Sequence, residues 1–515
     1  MNTLKSSGRA PWRTGVVASV VAASLLLTGC TGDAEGESRE SSSIVVGFTG
    51  ADVSLDPNLT IATNWLSVLS NMYDSLVMRN GAGELVASLA TEWKQTDDLT
   101  WTITLRDDVV FQDGTPFTAD DVVFTIERVL GEELKSPQRT YIASIASATA
   151  VDPTTVEITT SNPFPLLIEN LQLIPIVSAA FVEDNGAEAL SRGANGTGPY
   201  ALESWTPGGD LTLSAFADNW RGAPAIAEAT FRDIPETGAR VSALQAREVD
   251  IAVNIAPESA QLLEGDSGLR IESVTSQRSL YLVFDNLAQP LDDVRVRQAL
   301  NYAVDAESIV DNLLMGYGEV IPSLLGSMYN GHNADLDPYG YDPEKAKDLL
   351  AEAGYPDGFT LTVNAPADRY NKDREIAQAI AGQLSEIGVT VDLQITEWGA
   401  YLDRYGKHDL GPAYLIGFGT PVWDYSGVFN SYLKAASPQA YFRDDALEAA
   451  VVAAARISDP DERAVALSEI NEKLYEEAAF LFLFGYQDIY GVADDVDWSA
   501  RSDEKIWLFD ASFRG

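Results

Sequence analysis

Residues 84–130 read ELVASLATEWKQTDDLTWTITLRDDVVFQDGTPFTADDVVFTIERVL, and this window decides how the chain folds. Trp101, Ile103 and Leu105 alternate with polar residues, the period-two pattern of a strand with one buried face. Asp113-Gly114 marks a turn, because glycine tolerates backbone angles that other residues resist. Thr118 is placed to cap a helix, and Asp120 and Asp121 fall in its first turn, where the helix dipole favours negative charge. Val122, Ile126 and Val129 then recur on one apolar face. A strand, a turn and an amphipathic helix in succession predict mixed α/β structure.

The same alternation extends outward from this window. Ser43–Gly50 (SIVVGFTG) reads as a buried strand. After the Asp56-Pro57 turn, Leu66, Leu69, Met72, Tyr73 and Leu76 predict one face of a helix. Strand and helix patterns alternate again over residues 359–418, as in an α/β lobe. With 515 residues the chain exceeds a single hydrophobic core and should form two or three domains.

Composition excludes several functions. A formal net charge of -43 argues against nucleic acid, since binding phosphates needs clustered Lys and Arg. The acidic balance fits a solvated surface that keeps the protein in solution. A single cysteine, Cys30, rules out an intrachain disulfide, a dithiol motif or a cysteine-rich zinc site. The two histidines, His332 and His408, leave little for metal or triad chemistry, so no cofactor is expected. There is no Gly-x-Ser-x-Gly elbow and no His-Glu-x-x-His. Counting leaves only paired carboxylates open, as in a glycosidase-like hydrolase, and the chain is expected not to be an enzyme.

Residues 1–30 read as an export leader: Lys5, Arg9 and Arg13 precede the apolar run GVVASVVAASLLLTG, which is too short to span a bilayer. The run ends in Leu27-Thr28-Gly29-Cys30, which resembles a bacterial lipobox and implies lipidation of Cys30 as the first mature residue. Residues 31–43 (TGDAEGESRESSS) are polar and aperiodic, as expected of a flexible tether.

Residues 365–430 hold the groups best suited to a ligand. Arg369 offers a planar cationic fork, Asp424 lies between Trp423 and Tyr425, and Trp398 falls between these two places. A cation, an anion and aromatic walls facing one pocket would suit a zwitterion with an apolar middle, such as a short peptide.

Leu89-Ala90, Trp93, Leu105-Arg106, Val109, Phe111 and the run Asp113 to Val122 together resemble the signature of the extracytoplasmic solute-binding proteins of peptide-type ABC transporters, family 5. The likeness continues through Gly196-Thr197-Gly198-Pro199-Tyr200, ALQAREVDIAV (243–253), residues 281–310 and 341–363, and LFLFGYQDIYGVADDVDW (481–498). It implies an α/β, two-lobed periplasmic-binding-protein fold of type II, with the extra subdomain of the large peptide-binding class. Lobe I would span 44–279, with an inserted subdomain at about 60–195; lobe II would span 280–486, and 487–515 would return to lobe I.

For function the resemblance implies a lipid-anchored component of an ABC importer, on the outer face of the cell membrane. It would capture short peptides by lobe closure, act as a single chain and deliver its cargo to membrane permeases. An oligosaccharide, an opine or a nickel chelate is the alternative cargo. In this family an aspartate like that of Trp423-Asp424-Tyr425 takes the peptide's α-ammonium, although Ser426-Gly427 stands where the family has Asp-Pro. Arg369-Tyr370, ahead of Glu397-Trp398-Gly399-Ala400-Tyr401, resembles the pair that meets the peptide carboxylate, with Lys372 and Arg374 as nearby alternatives. Trp398, Tyr401 and Trp65 are candidate walls or core residues, and His408 is expected to be structural.

Overall fold

The computed structural model describes residues 43–514; the leader, Cys30 and all but the last residue of the tether lie outside them. Among the described residues no helix is long and apolar enough to cross a membrane.

The deciding window folds as its pattern predicts. Thr100–Leu105 is a strand with Ile103 and Leu105 buried, and Gly114 adopts a φ of 86°. Thr118 and Asp121 form a reciprocal capping box on the helix Ala119–Leu130, whose Val122, Ile126 and Val129 are buried. This helix packs on a four-stranded antiparallel sheet, in the order Ala90–Gln95, Thr100–Leu105, Thr155–Thr160, Ile145–Asp152. Together they enclose a separate core running from Leu76 to Ile176.

The first helix is shorter than its apolar spacing suggests. It spans Thr63–Leu69, and Met72 and Tyr73 are buried beyond its end. Asn71 stops it by turning its amide onto the carbonyls of Ser67, Val68 and Ile506. The Met72 carbonyl then accepts from Gly198 N–H and from the Gln112 amide. Close approach explains the Gly196–Tyr200 turn: a Cβ on Gly196 would lie 2.1 Å from the Met72 carbonyl oxygen.

Two long antiparallel strands join the lobes, Leu269–Phe284 and Phe480–Ala493, and they lie side by side within one 11-stranded sheet. Toward lobe I the second crossing strand pairs with Ile251–Ala252, which in turn pairs with Ser43–Phe48. Toward lobe II the first crossing strand pairs with Ala413–Phe418, which meets the parallel pair Thr360–Ala367 and Thr390–Glu397. Side chains alternate across this half of the strand. Leu280, Leu282 and Phe284 enter one core, and Tyr281 and Val283 enter another on the opposite face. Ile44, Val46, Phe231 and Ile251 belong to a third core, on the lobe I side.

Between Thr275 and Ser279 the ladder of the crossing strands loses register, and Ser276-Gln277-Arg278 bulge from it. A bulge redirects side chains that a regular strand would point elsewhere. This one turns Ser276 and Arg278 toward the space between the lobes.

Candidate functional site

A cavity of about 270 Å³ opens beside the bulge. Ser276 and Arg278 line it from the first crossing strand, and Tyr486 to Ile489 line it from the second. Lobe I adds Asn64 and Asn254, the loop after Ala367 adds Arg369, Tyr370 and Asn371, and the C-terminal segment adds Glu504. Asn254 and Glu504 have φ values of 52° and 59°, and Asp368 and Lys372, flanking the arginine loop, have 63° and 60°. Non-glycine residues held in this region cost energy and are most often found at binding sites.

The loop carrying Arg369 is fixed from beneath. The Asp373 carboxylate accepts hydrogen bonds from the N–H groups of Asp368, Arg369 and Tyr370. The Tyr370 hydroxyl donates to the Gly417 carbonyl at 3.1 Å. Arg369 itself is exposed at the rim, with its guanidinium carbon 5.3 Å from the Tyr370 ring centroid and 5.2 Å from that of Trp398. Trp398 is half-buried and stacks on Tyr401. Partial desolvation by the cavity wall, followed by the charge of Arg278, presses the Arg369 guanidinium below its usual value even though the side chain reaches solvent. The two cations therefore share one neighbourhood.

Two carboxyls face them. Asp488 is the acid in an otherwise apolar strand, and its Oδ2 is sealed from solvent without a hydrogen-bond partner. Burial pushes the Asp488 carboxyl up and the charge of Glu504 adds to the shift, while Ser276 and Arg278 oppose it. Burial also pushes Glu504 up, against the pull of Arg278. Among the described residues, Arg278, Arg369, Asp488 and Glu504 take part in no ion pair within 4 Å. Opposite charges stand across the cavity without touching.

Asp424 lies elsewhere, and the role expected for it has to be corrected. It is only 2% exposed, and Arg463 clamps it with Nε–Oδ2 at 2.8 Å and Nη2–Oδ1 at 3.0 Å. Ser426 N–H, the Ser426 hydroxyl and the Asn330 amide complete its shell. Burial pushes its carboxyl up, but Arg463 and then Ser426 pull it below the usual carboxylate range. No acceptor capacity remains for an ammonium group. Tyr425 is fully buried, with its hydroxyl engaged by Ser323 and Leu325. Trp423 is half-buried and carries Arg79 over its ring at 3.9 Å. A Cβ on Gly83 would lie 2.4 Å from that ring, so Trp423 is an interlobe contact outside the cavity.

Of the other candidates, Trp65 and Tyr401 are core residues, bonded to the carbonyls of Ser54 and Leu415. Lys372 pairs with Glu258 at 2.8 Å across the lobes. His408 is exposed and stacks on Tyr441. No group of three potential metal ligands occurs among the described residues. Sequence reasoning missed Arg278, Asp488 and Glu504; a charged residue interrupting the apolar run FLFLFGYQDIYGVA was the available signal for Asp488.

The chain is similar to the glutathione-binding protein GsiB of Salmonella typhimurium, 28% identical over 85% of this chain and 88% of that protein. Its fold matches HbpA2 from Haemophilus parasuis with a TM-score of 0.84 at 24% identity, covering 92% of this chain and all of the other. It also matches DppA from Helicobacter pylori in complex with the peptide STSA, with a TM-score of 0.75 at 24% identity over 92% and 98% of the two chains. The model of the bacterial extracellular solute-binding proteins, family 5 Middle, matches residues 84–439, and the chain belongs to that family of binding proteins.

Proposed function

We propose that this protein is the binding component of an ABC importer, and that it holds a short peptide with free termini in the cavity between its lobes. The observation that carries this reading is that Arg278 and Arg369 line a polar cavity at the crossing strands and take part in no ion pair among the described residues. A guanidinium fork matches both oxygens of a carboxylate, and here two forks are available. Tyr370 and Trp398 offer aromatic surface beside the Arg369 cation, suited to varied side chains. A cavity of this volume accommodates a ligand of about two or three residues. The name of the GsiB relative points the same way, since glutathione is a small peptide with two carboxylates.

In this reading lobe I comprises residues 44–279 with 487–515, lobe II comprises 280–486, and closure traps the ligand before delivery to a permease. The lipobox pattern at Leu27–Cys30 supports a lipid anchor on the outer face of the membrane, with the protein acting as a single chain. Native mass spectrometry of the purified protein tests the cargo. A co-purifying peptide of a few hundred daltons, and calorimetric binding of free-ended di- and tripeptides, are the expected results. A bound hexose series with no peptide binding would overturn it.

A further inference from the structure

We propose that Asp488 and Glu504 form the subsite for the ligand's ammonium group, opposite the arginine subsite of Arg278 and Arg369. The proposal rests on the peptide reading given above and deepens it.

Elsewhere five buried or half-buried arginines have carboxylate partners, Arg128 with Asp56, Arg79 with Glu169, Arg221 with Asp74, Arg463 with Asp424 and Arg501 with Asp503, and the fully buried Arg240 is saturated by backbone carbonyls. The four charged groups that line the cavity form no such pair among the described residues. Asp373 and its three N–H contacts hold the Arg369 loop back from the carboxyls. On the acidic side, a sealed oxygen without a partner is an acceptor kept ready, because leaving it unmade carries the full desolvation cost of the group.

The partner must carry positive charge and several donors. A primary ammonium supplies three, enough for both carboxylates with one left for Asn64 or Asn254 on the same wall. The charged and titratable groups facing Asp488 are Glu504, Arg278 and Tyr490, and those facing Glu504 are Asp488, Arg278, Arg369, Asp503, Tyr329 and Tyr490. Both carboxyls line this cavity and hold a proton more firmly than usual, so an arriving ammonium displaces it. The placement also gives the ligand a mechanical role. Glu504 precedes Ile506 and Leu508 of the lobe I core, whereas Arg369 stands on lobe II. A zwitterion gripped at both ends ties the lobes together.

The experiment is a binding cycle by calorimetry on the mature protein, with reduced glutathione, the dipeptide Met-Leu and the α-N-acetylated form of each as probes. Wild type should prefer a free amine over its acetylated form by about 10- to 100-fold. Asp488→Asn and Glu504→Gln should each erase most of that preference. Wild type should also release protons on binding, read from the dependence of the heat on buffer ionisation. This last measurement needs no variant, so poor folding of a variant cannot decide the matter. If peptides bind but the variants keep the amine preference, or no proton is released, the subsite is elsewhere and the peptide reading stands. If no free-ended peptide binds wild type, both fall together.

Discussion

Two clusters of charge in this protein are built from the same side chains and behave oppositely. Asp424 and Arg463 are in contact, almost fully buried and surrounded by donors. Asp488 and Glu504 face Arg278 and Arg369 across a cavity, with no contact between them. The first cluster is closed and can accept nothing more. The second retains its electrostatic potential because nothing in the chain discharges it. A charge is therefore not assigned to function by its burial or its aromatic neighbours, but by whether its partners are already present.

The largest expected effect breaks the closed cluster. Arg463→Met leaves a buried carboxylate alone and should destabilise the protein by about 3–5 kcal/mol in urea unfolding. Arg369→Ala removes an exposed rim residue, so stability should change by less than about 0.5 kcal/mol. Peptide affinity measured by calorimetry should nevertheless fall about 10- to 100-fold. A loss of stability comparable to that of Arg463→Met would erase the distinction between the two clusters.

The clusters should also respond to pH with opposite sign. Asp424 has a depressed carboxyl, so its stabilisation is present above the ordinary carboxylate range and is lost as pH falls through its folded value. Asp488 and Glu504 have raised carboxyls, so their contribution is greatest at or below the ordinary range and declines as pH rises through their folded values. Thermal melts of the ligand-free protein from acid to mildly alkaline pH should show Asp488→Asn flattening the high-pH side only. The smallest effect is expected at Lys372 and Glu258, a half-exposed pair across the lobes. Lys372→Met should shift peptide affinity by no more than about threefold, with the effect vanishing in high salt.

The architecture was legible because its signals are local. A period of two, a turn glycine and a capping threonine within residues 84–130 specify a strand and a helix before any distant contact forms. The position of Arg369 and Tyr370 was legible for a similar reason, since they lie in a short polar loop between the strand Thr360–Ala367 and a helix, and their role in binding is the reading proposed above. Asp424 misled because what neutralises it is 39 residues downstream, on the helix Pro460–Glu476. Nothing in the spacing announces that pairing. Arg278 depends on a register slip between strands more than 200 residues apart, and Glu504 on a left-handed turn in a non-glycine residue, neither of which leaves a periodic trace. The helix that stops at Leu69 shows the same limit, since a carbonyl from Ile506 helps to end it.

The bulge at Ser276–Arg278 has a consequence for how such a molecule can be tuned. In the proposed reading the ligand's charges are gripped beside the strands that join the lobes, so recognition would fall at the fulcrum, where leverage is shortest. The Trp423 and Arg79 contact lies outside the residues that line the cavity. In that reading, substitutions at this contact would adjust how firmly the closed form is held without altering which cargo is chosen.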